Sequence, residues 1–186
     1  MRSLLLLVLV LPSPSQGQEV CQRDDLYEEE DCSSEGKTSE RKVKLSNGVL
    51  MPQVGFGTWK ITAEQEMFAV LDTSLASGYR LIDTAVAYNN HRRISSSLST
   101  LLPEYRLSRE DIFLTSKIPV WSLADCRAGL DQILSELETE YLDLLLLHSP
   151  PDTEDGRREA WECLEQFYRD GKTRAVGETT VRECWV

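Results

Sequence analysis

Positive charge is scarce in this chain. Twenty Lys and Arg face 31 Asp and Glu, a formal charge of −11. So acidic a protein repels phosphate backbones and anionic lipid, which argues against nucleic acid or a charged membrane surface as partner. No Cys-x-x-Cys pair occurs among the five cysteines, so zinc-finger and thioredoxin-like chemistry lack support. No Gly-x-Gly-x-x-Gly follows any apolar run, which weighs against a Rossmann module. No Asn-x-Ser/Thr glycosylation acceptor is present. The apolar run Leu4–Leu11 falls well short of the roughly 20 residues that cross a bilayer, so no membrane span is expected. The acidic run from Asp24 to Asp31 lacks the alternating spacing and the glycine of a calcium loop. It reads as solvated charge, and no metal site is expected.

At 186 residues the chain has room for one domain with appendages. A basic start (Met1-Arg2-Ser3), the short apolar run and a small-residue exit (Pro12 to Gly17) have the three parts of a secretory signal. Residues 1–17 are read as that signal, with cleavage before Gln18 and a secreted or lumenal destination. Gln18 to Glu40 then holds nine acids against Arg23 and Lys37, so residues 18–41 read as an acidic, mobile leader. Cys21 and Cys32 could close a small loop in it. Cys126 and Cys163 fall in predicted helices and are expected as buried thiols. With Cys184 the count is odd, which leaves at least one thiol unpaired or intermolecular.

The body of the chain alternates between two periodicities. Lys42 to Met51 is a hairpin signal, with Asn47-Gly48 suited to a type I′ turn and Pro52 ending the second arm. Val54 to Trp59 reads as a short buried strand ending at a glycine turn. Thr62 with Gln65 three residues on is a capping box, opening a helix with Phe68, Leu71, Leu75 and Ala76 inward and Gly78 as its stop. The second strand is Arg80 to Thr84. A serine-heavy helix follows from Asn90 to Leu102, with Ile94, Leu98 and Leu101 inward, closed by Pro103. Ile112 to Ser116 is a strand and Asp125 to Glu140 a helix. Leu142 to Leu147 is an apolar run short enough for a strand buried on both faces. Glu154 to Asp170 is a helix with Trp161, Leu164, Phe167 and Tyr168 inward, and Thr173 to Val176 is a fifth strand. Strands separated by helices imply a parallel sheet with right-handed crossovers, and an open doubly wound sheet and a closed barrel both fit.

Four polar residues fall at, or just past, the carboxyl ends of these strands: Asp83, Tyr88, Lys117 and His148. In a barrel those ends converge on one face. Together they suit carbonyl reduction, which needs a proton donor for the developing alkoxide. A phenol with a pKa of roughly 10 serves only beside a cation, which a buried lysine would supply and an aspartate would keep charged. A histidine can donate a hydrogen bond to the substrate oxygen.

The stretches LSNGVLMPQVGFGTW, GYRLIDTAVAYNN, IFLTSKIP, YLDLLLLHSP and DGKTRAVG, from about Leu45 to Gly177, resemble the aldo-keto reductases in order and spacing. The resemblance implies an α/β fold, a (β/α)8 TIM barrel with an N-terminal β-hairpin closing its base, over residues 42–177. It implies NADPH as cofactor and a small-molecule aldehyde or ketone as substrate. By motif match it makes Asp83, Tyr88, Lys117 and His148 a catalytic tetrad, with Tyr88 the proton donor. It sets Gly57, Thr58, Trp59 and Asp83 beside the cofactor, and Trp59, His148 and Ser149 beside the substrate.

Several positions depart from the family pattern. His91 stands where members carry glutamate, Ser95 where they carry glycine, and Ser149 where many carry tryptophan. After Gly177 the family's Ser-Asn turn is replaced by Thr179-Thr180, partial stand-ins at the head of a divergent tail, residues 178–186. A complete barrel of this class needs roughly 250 residues, so the expectation here is an incomplete one of about five β/α units. Such a sheet would leave two unpaired edges and an exposed apolar interior. Three readings follow: a reductase of which this is a truncated form, an inactive secreted or lumenal binding protein, or a barrel completed by dimerisation. Most members of the family are cytoplasmic, which is the alternative location.

Overall fold

The computed structural model describes residues 41–119, 123–149 and 151–179. The expected signal, nearly all of the leader, Cys21, Cys32, Thr180 and Cys184 lie outside them. Lys42–Lys44 (β1) and Leu50–Pro52 (β2) pair antiparallel, Val43 opposite Met51. Their turn is not the expected type I′, because only Gly48 takes a positive φ, +86°. The Gly48 N–H donates to the Leu45 carbonyl and the Leu45 N–H to that of Val49, each at 2.8 Å. This is a three-residue loop with a left-handed glycine. The Asn47 side chain accepts from the Val49 N–H and donates to the Arg174 carbonyl, which fastens the turn to the far side of the domain.

Five strands form one parallel sheet in chain order: Phe56–Gly57 (β3), Leu81–Asp83 (β4), Phe113–Pro119 (β5), Leu144–Ser149 (β6) and Val176–Glu178 (β7). Helices Glu64–Ala76 (α1), His91–Glu104 (α2), Leu123–Leu137 (α3) and Glu154–Arg169 (α4) connect them. A doubly wound sheet would reverse its strand order part-way. Here each strand pairs with its sequence neighbours, as in barrel winding. β3 is shorter and more exposed than expected because it is a sheet edge with a pairing partner on one side. The last strand begins at Val176, later than expected, and Thr173 instead bridges Leu142.

Helix details also shift. α1 starts at Glu64 behind Ala63, so the Thr62 capping box does not form. Met67, Leu71, Ser74 and Leu75 set its buried face, a quarter-turn away from the expected one, and Phe68 and Ala76 are exposed. Gly78 (φ +86°) ends it: the Tyr79 N–H reaches the Ser74 carbonyl and the Gly78 N–H that of Leu75. Pro103 lies within the last turn of α2. On α4, Leu164 and Phe167 are buried while Tyr168 turns outward.

Strand alternation divides the apolar residues between two cores. Ile82, Leu114, Ile118, Leu145, Leu147 and Val176 face the helices. Leu81, Phe113, Leu144, Leu146 and Ala175 face the concave side, where Leu45 and Met51 of the hairpin join them. The run Leu144–Leu147 thus sends two leucines to each core, as a strand buried on both faces must. The expected exposed interior does not occur: this concave cluster is buried, because the hairpin lies against it. At the amino-terminal ends of the strands the buried Asp143 carboxylate accepts from Arg109 (2.9 Å), Arg174 (2.7 Å) and the Leu114 N–H (2.9 Å). Cys126 of α3 and Cys163 of α4, expected as thiols, are joined in a disulfide, Cα–Cα 6.5 Å.

Candidate active site

Parallel pairing puts the carboxyl ends of β4, β5 and β6 on one edge. Asp83 ends β4 and pairs in register with Thr115, two residues before Lys117 on β5. Even positions on that strand face the helices, so Lys117 points to the concave side with Asp83 and Thr115. A 3-10 turn, Val86–Tyr88, carries the tyrosine back over the strand ends, and Asn89 closes it in the left-handed region at φ +53°. Lys117, 5% exposed, spends its donors on Asp83 Oδ1 (2.6 Å), the Thr84 carbonyl (3.0 Å) and Tyr88 Oη (3.5 Å). His148, one residue from the end of β6, sets its ring edge-to-face on Tyr88 with centroids 5.8 Å apart. The four expected residues therefore form one cluster.

Burial pushes the His148 imidazole below its ordinary value, the nearby Lys117 ammonium pushes it further, and Asp83 pulls the other way. The ring is neutral near pH 7 and keeps one N–H to donate. Asp83 Oδ2 and Thr115 Oγ1, on paired residues, are buried oxygens without a hydrogen-bond partner among the described residues. An acceptor such as Asp83 Oδ2 suits a hydroxyl or amide donor, which is what the ribose and carboxamide of a nicotinamide nucleotide offer. The reacting half of the site fits such a group.

The remaining expected residues are placed as follows. Gly57 is exposed and pairs with Asp83, with open space where a side chain would stand. Trp59 is 65% exposed, with the Lys60 ammonium 4.5 Å from its ring centre. Ser149 is exposed at the end of β6. Thr58 stands behind Asp83. It is fully buried, and both its N–H and its hydroxyl donate to the Asp83 carbonyl at 3.0 Å. It braces the aspartate and offers no open contact. Thr179 donates its hydroxyl to the His148 carbonyl at 2.7 Å, tying β7 to β6 at the histidine.

Two features were not foreseen from the sequence. Asn90, fully buried, accepts from the Thr84 hydroxyl and donates to the Thr58 and Ile61 carbonyls. It locks the loop after β3 to the end of β4. Its only sequence signal is a polar residue at a helix start, which reads as a cap. His91, also buried, lies between Ser116 Oγ (3.0 Å) and Glu136 Oε2 (3.3 Å) on the helix side of the sheet, opposite the lysine. Its position at the head of α2 gave no sign of either partner.

The aldo/keto reductase family model matches residues 53–182. The chain is 37% identical over 139 residues to a glyoxal reductase of Bacillus subtilis, covering 73% of this chain and 48% of that protein. It is 33% identical over 135 residues to a methylglyoxal reductase of Escherichia coli, covering 73% and 47%. Its structure resembles that of an aldose reductase from Schistosoma japonicum, with a TM-score of 0.67, 30% identity, and coverage of 74% and 52%. The chain belongs to the aldo/keto reductase family, and its five parallel strands follow the winding of that family's barrel. It spans about half the length of the curated relatives it matches.

Proposed function

We propose that this site reduces an aldehyde or ketone to the alcohol with NADPH as cofactor and Tyr88 as proton donor. The observation that carries the reading is Lys117, held between Asp83 and the Tyr88 hydroxyl. NADPH, when bound, supplies the hydride. The chain's own residues do the rest. Tyr88 Oη gives its proton to the oxygen on which negative charge develops. The Lys117 ammonium behind it stabilises the phenolate left, and Asp83 keeps that ammonium in place. His148, neutral, donates its N–H to the same substrate oxygen. Exposed Trp59 and Ser149 are available as walls of the substrate cleft, with serine giving a smaller, more polar wall than tryptophan. Small dicarbonyls of the kind named for the relatives are the first substrates to try. The signal read at residues 1–17 supports the secretory route as the location of this activity.

The test is NADPH titration of the purified chain by tryptophan fluorescence, with circular dichroism on the same sample, then NADPH consumption with methylglyoxal. Saturable micromolar binding with turnover supports the reading. A folded chain that neither binds nor consumes NADPH overturns it and favours a binding protein built on a reductase fold.

A further inference from the structure

The two helices behind β5 and β6 are joined by a bond the proposed chemistry does not use. Cys126 lies near the start of α3 and Cys163 in the middle of α4, 37 positions apart in the sequence. Both are buried in the core shared with Ile118, Leu130, Ile133, Leu145, Leu147 and Leu164. α3 lies close on β5, since a side chain added at Gly129 would meet Ile118 at 3.2 Å. α3 and α4 therefore cover the outer faces of the strands that present Lys117 and His148 on their inner faces.

We propose that Cys126–Cys163 is a structural cross-link, made as the chain folds in an oxidising compartment, that clamps α3 to α4 behind the strands of the site. The two thiols give up two protons and two electrons to a small-molecule or protein disulfide, which leaves as two thiols. The bond closes a loop of intermediate length, long enough for the constraint on the unfolded chain to matter. Thiol–disulfide exchange requires a thiolate to reach one sulfur directly. Neither sulfur here is accessible, so the bond is a fixed part of the fold and not a switch worked by ambient thiols. A reducing cytosol would leave the pair open, so the cross-link ties the stable form of this chain to a secretory route. The inference rests on the cysteine geometry and not on the proposed reduction of carbonyls.

The experiment uses the full chain, refolded in a buffer of reduced and oxidised glutathione, alkylated without reduction and digested with trypsin. Expected is a cross-linked pair of peptides, residues 118–127 with 159–169. In the absence of denaturant, dithiothreitol should cleave it at least tenfold more slowly than in its presence. The oxidised chain should melt about 10 °C above the reduced one. A folded chain with Cys126 and Cys163 both alkylated, or with either joined to Cys21, Cys32 or Cys184, overturns the proposal. So does equal melting of the oxidised and reduced forms. A Cys126→Ala/Cys163→Ala chain that melts with the reduced form supports it. If that variant does not fold, the comparison of oxidised with reduced wild type still decides. The same chain expressed with its N-terminus in a eukaryotic cell reports signal removal by mass, separately from the cross-link.

Discussion

Lys117 Nζ stands 2.6 Å from Asp83 Oδ1 across two neighbouring parallel strands, and the lysine is almost wholly buried. Among the described residues neither charge has another charged partner at that distance, so each depends on the other. Lys117→Met keeps the aliphatic stem and removes the cation. The Asp83 carboxylate, partly exposed, would then stand unpaired. A loss of about 2 kcal/mol is expected, below the range for a fully buried pair. Chemical denaturation of the variant measures it. NADPH-dependent turnover should fall with it, and unchanged turnover would remove Lys117 from the site.

Tyr88→Phe deletes one oxygen that accepts from Lys117 Nζ at 3.5 Å, a long and weak contact. Stability should change by less than about 1 kcal/mol. Turnover should fall by roughly 10²- to 10⁴-fold, the usual contribution of a positioned general acid. Parallel melting and rate measurements separate the two effects. A variant with full activity would exclude the tyrosine as proton donor.

Stability should fall as pH drops below about 6.5. Burial holds His91 below its ordinary value against the opposing pull of Glu136, and His148 is lowered as well. In that window the unfolded chain binds protons that the folded chain does not, so folding weakens as pH falls towards the folded-state values. Glu178, raised by burial, acts in the opposite sense but is common to wild type and variant. His91→Gln should lower stability at every pH and flatten the slope by up to about 1 kcal/mol per pH unit. Denaturation midpoints between pH 5 and 8 (roughly the span of histidine titration) check this. A variant with the wild-type slope would show that His91 does not contribute.

Asp143→Ala should be among the more damaging substitutions outside the site. It leaves Arg109, Arg174 and the buried Leu114 N–H without their shared acceptor. A loss of about 3 kcal/mol is expected, measured by denaturation. The Asp83, Tyr88, Lys117 and His148 cluster is at the other end of the strands, so any NADPH affinity of the folded fraction should hold.

The sequence by itself determined the order of strands and helices and the four residues of the cluster. The reason is local. Apolar runs of strand length alternate with helical periodicity, and the polar residue that closes each run sits at its carboxyl end. Parallel winding then brings every such end to one edge, so position along the chain already implies position in the site. Tertiary structure alone decided what depends on distant partners. The Asn90 side chain finds Thr58 from 32 positions away and Asp143 finds Arg109 from 34. Cys126 meets Cys163 across two helices, and nothing in the spacing of either distinguished a bond from two thiols. The same holds for the concave core. Leu144 and Leu146 are covered because a hairpin some hundred residues earlier lies against them, a contact no short-range pattern encodes.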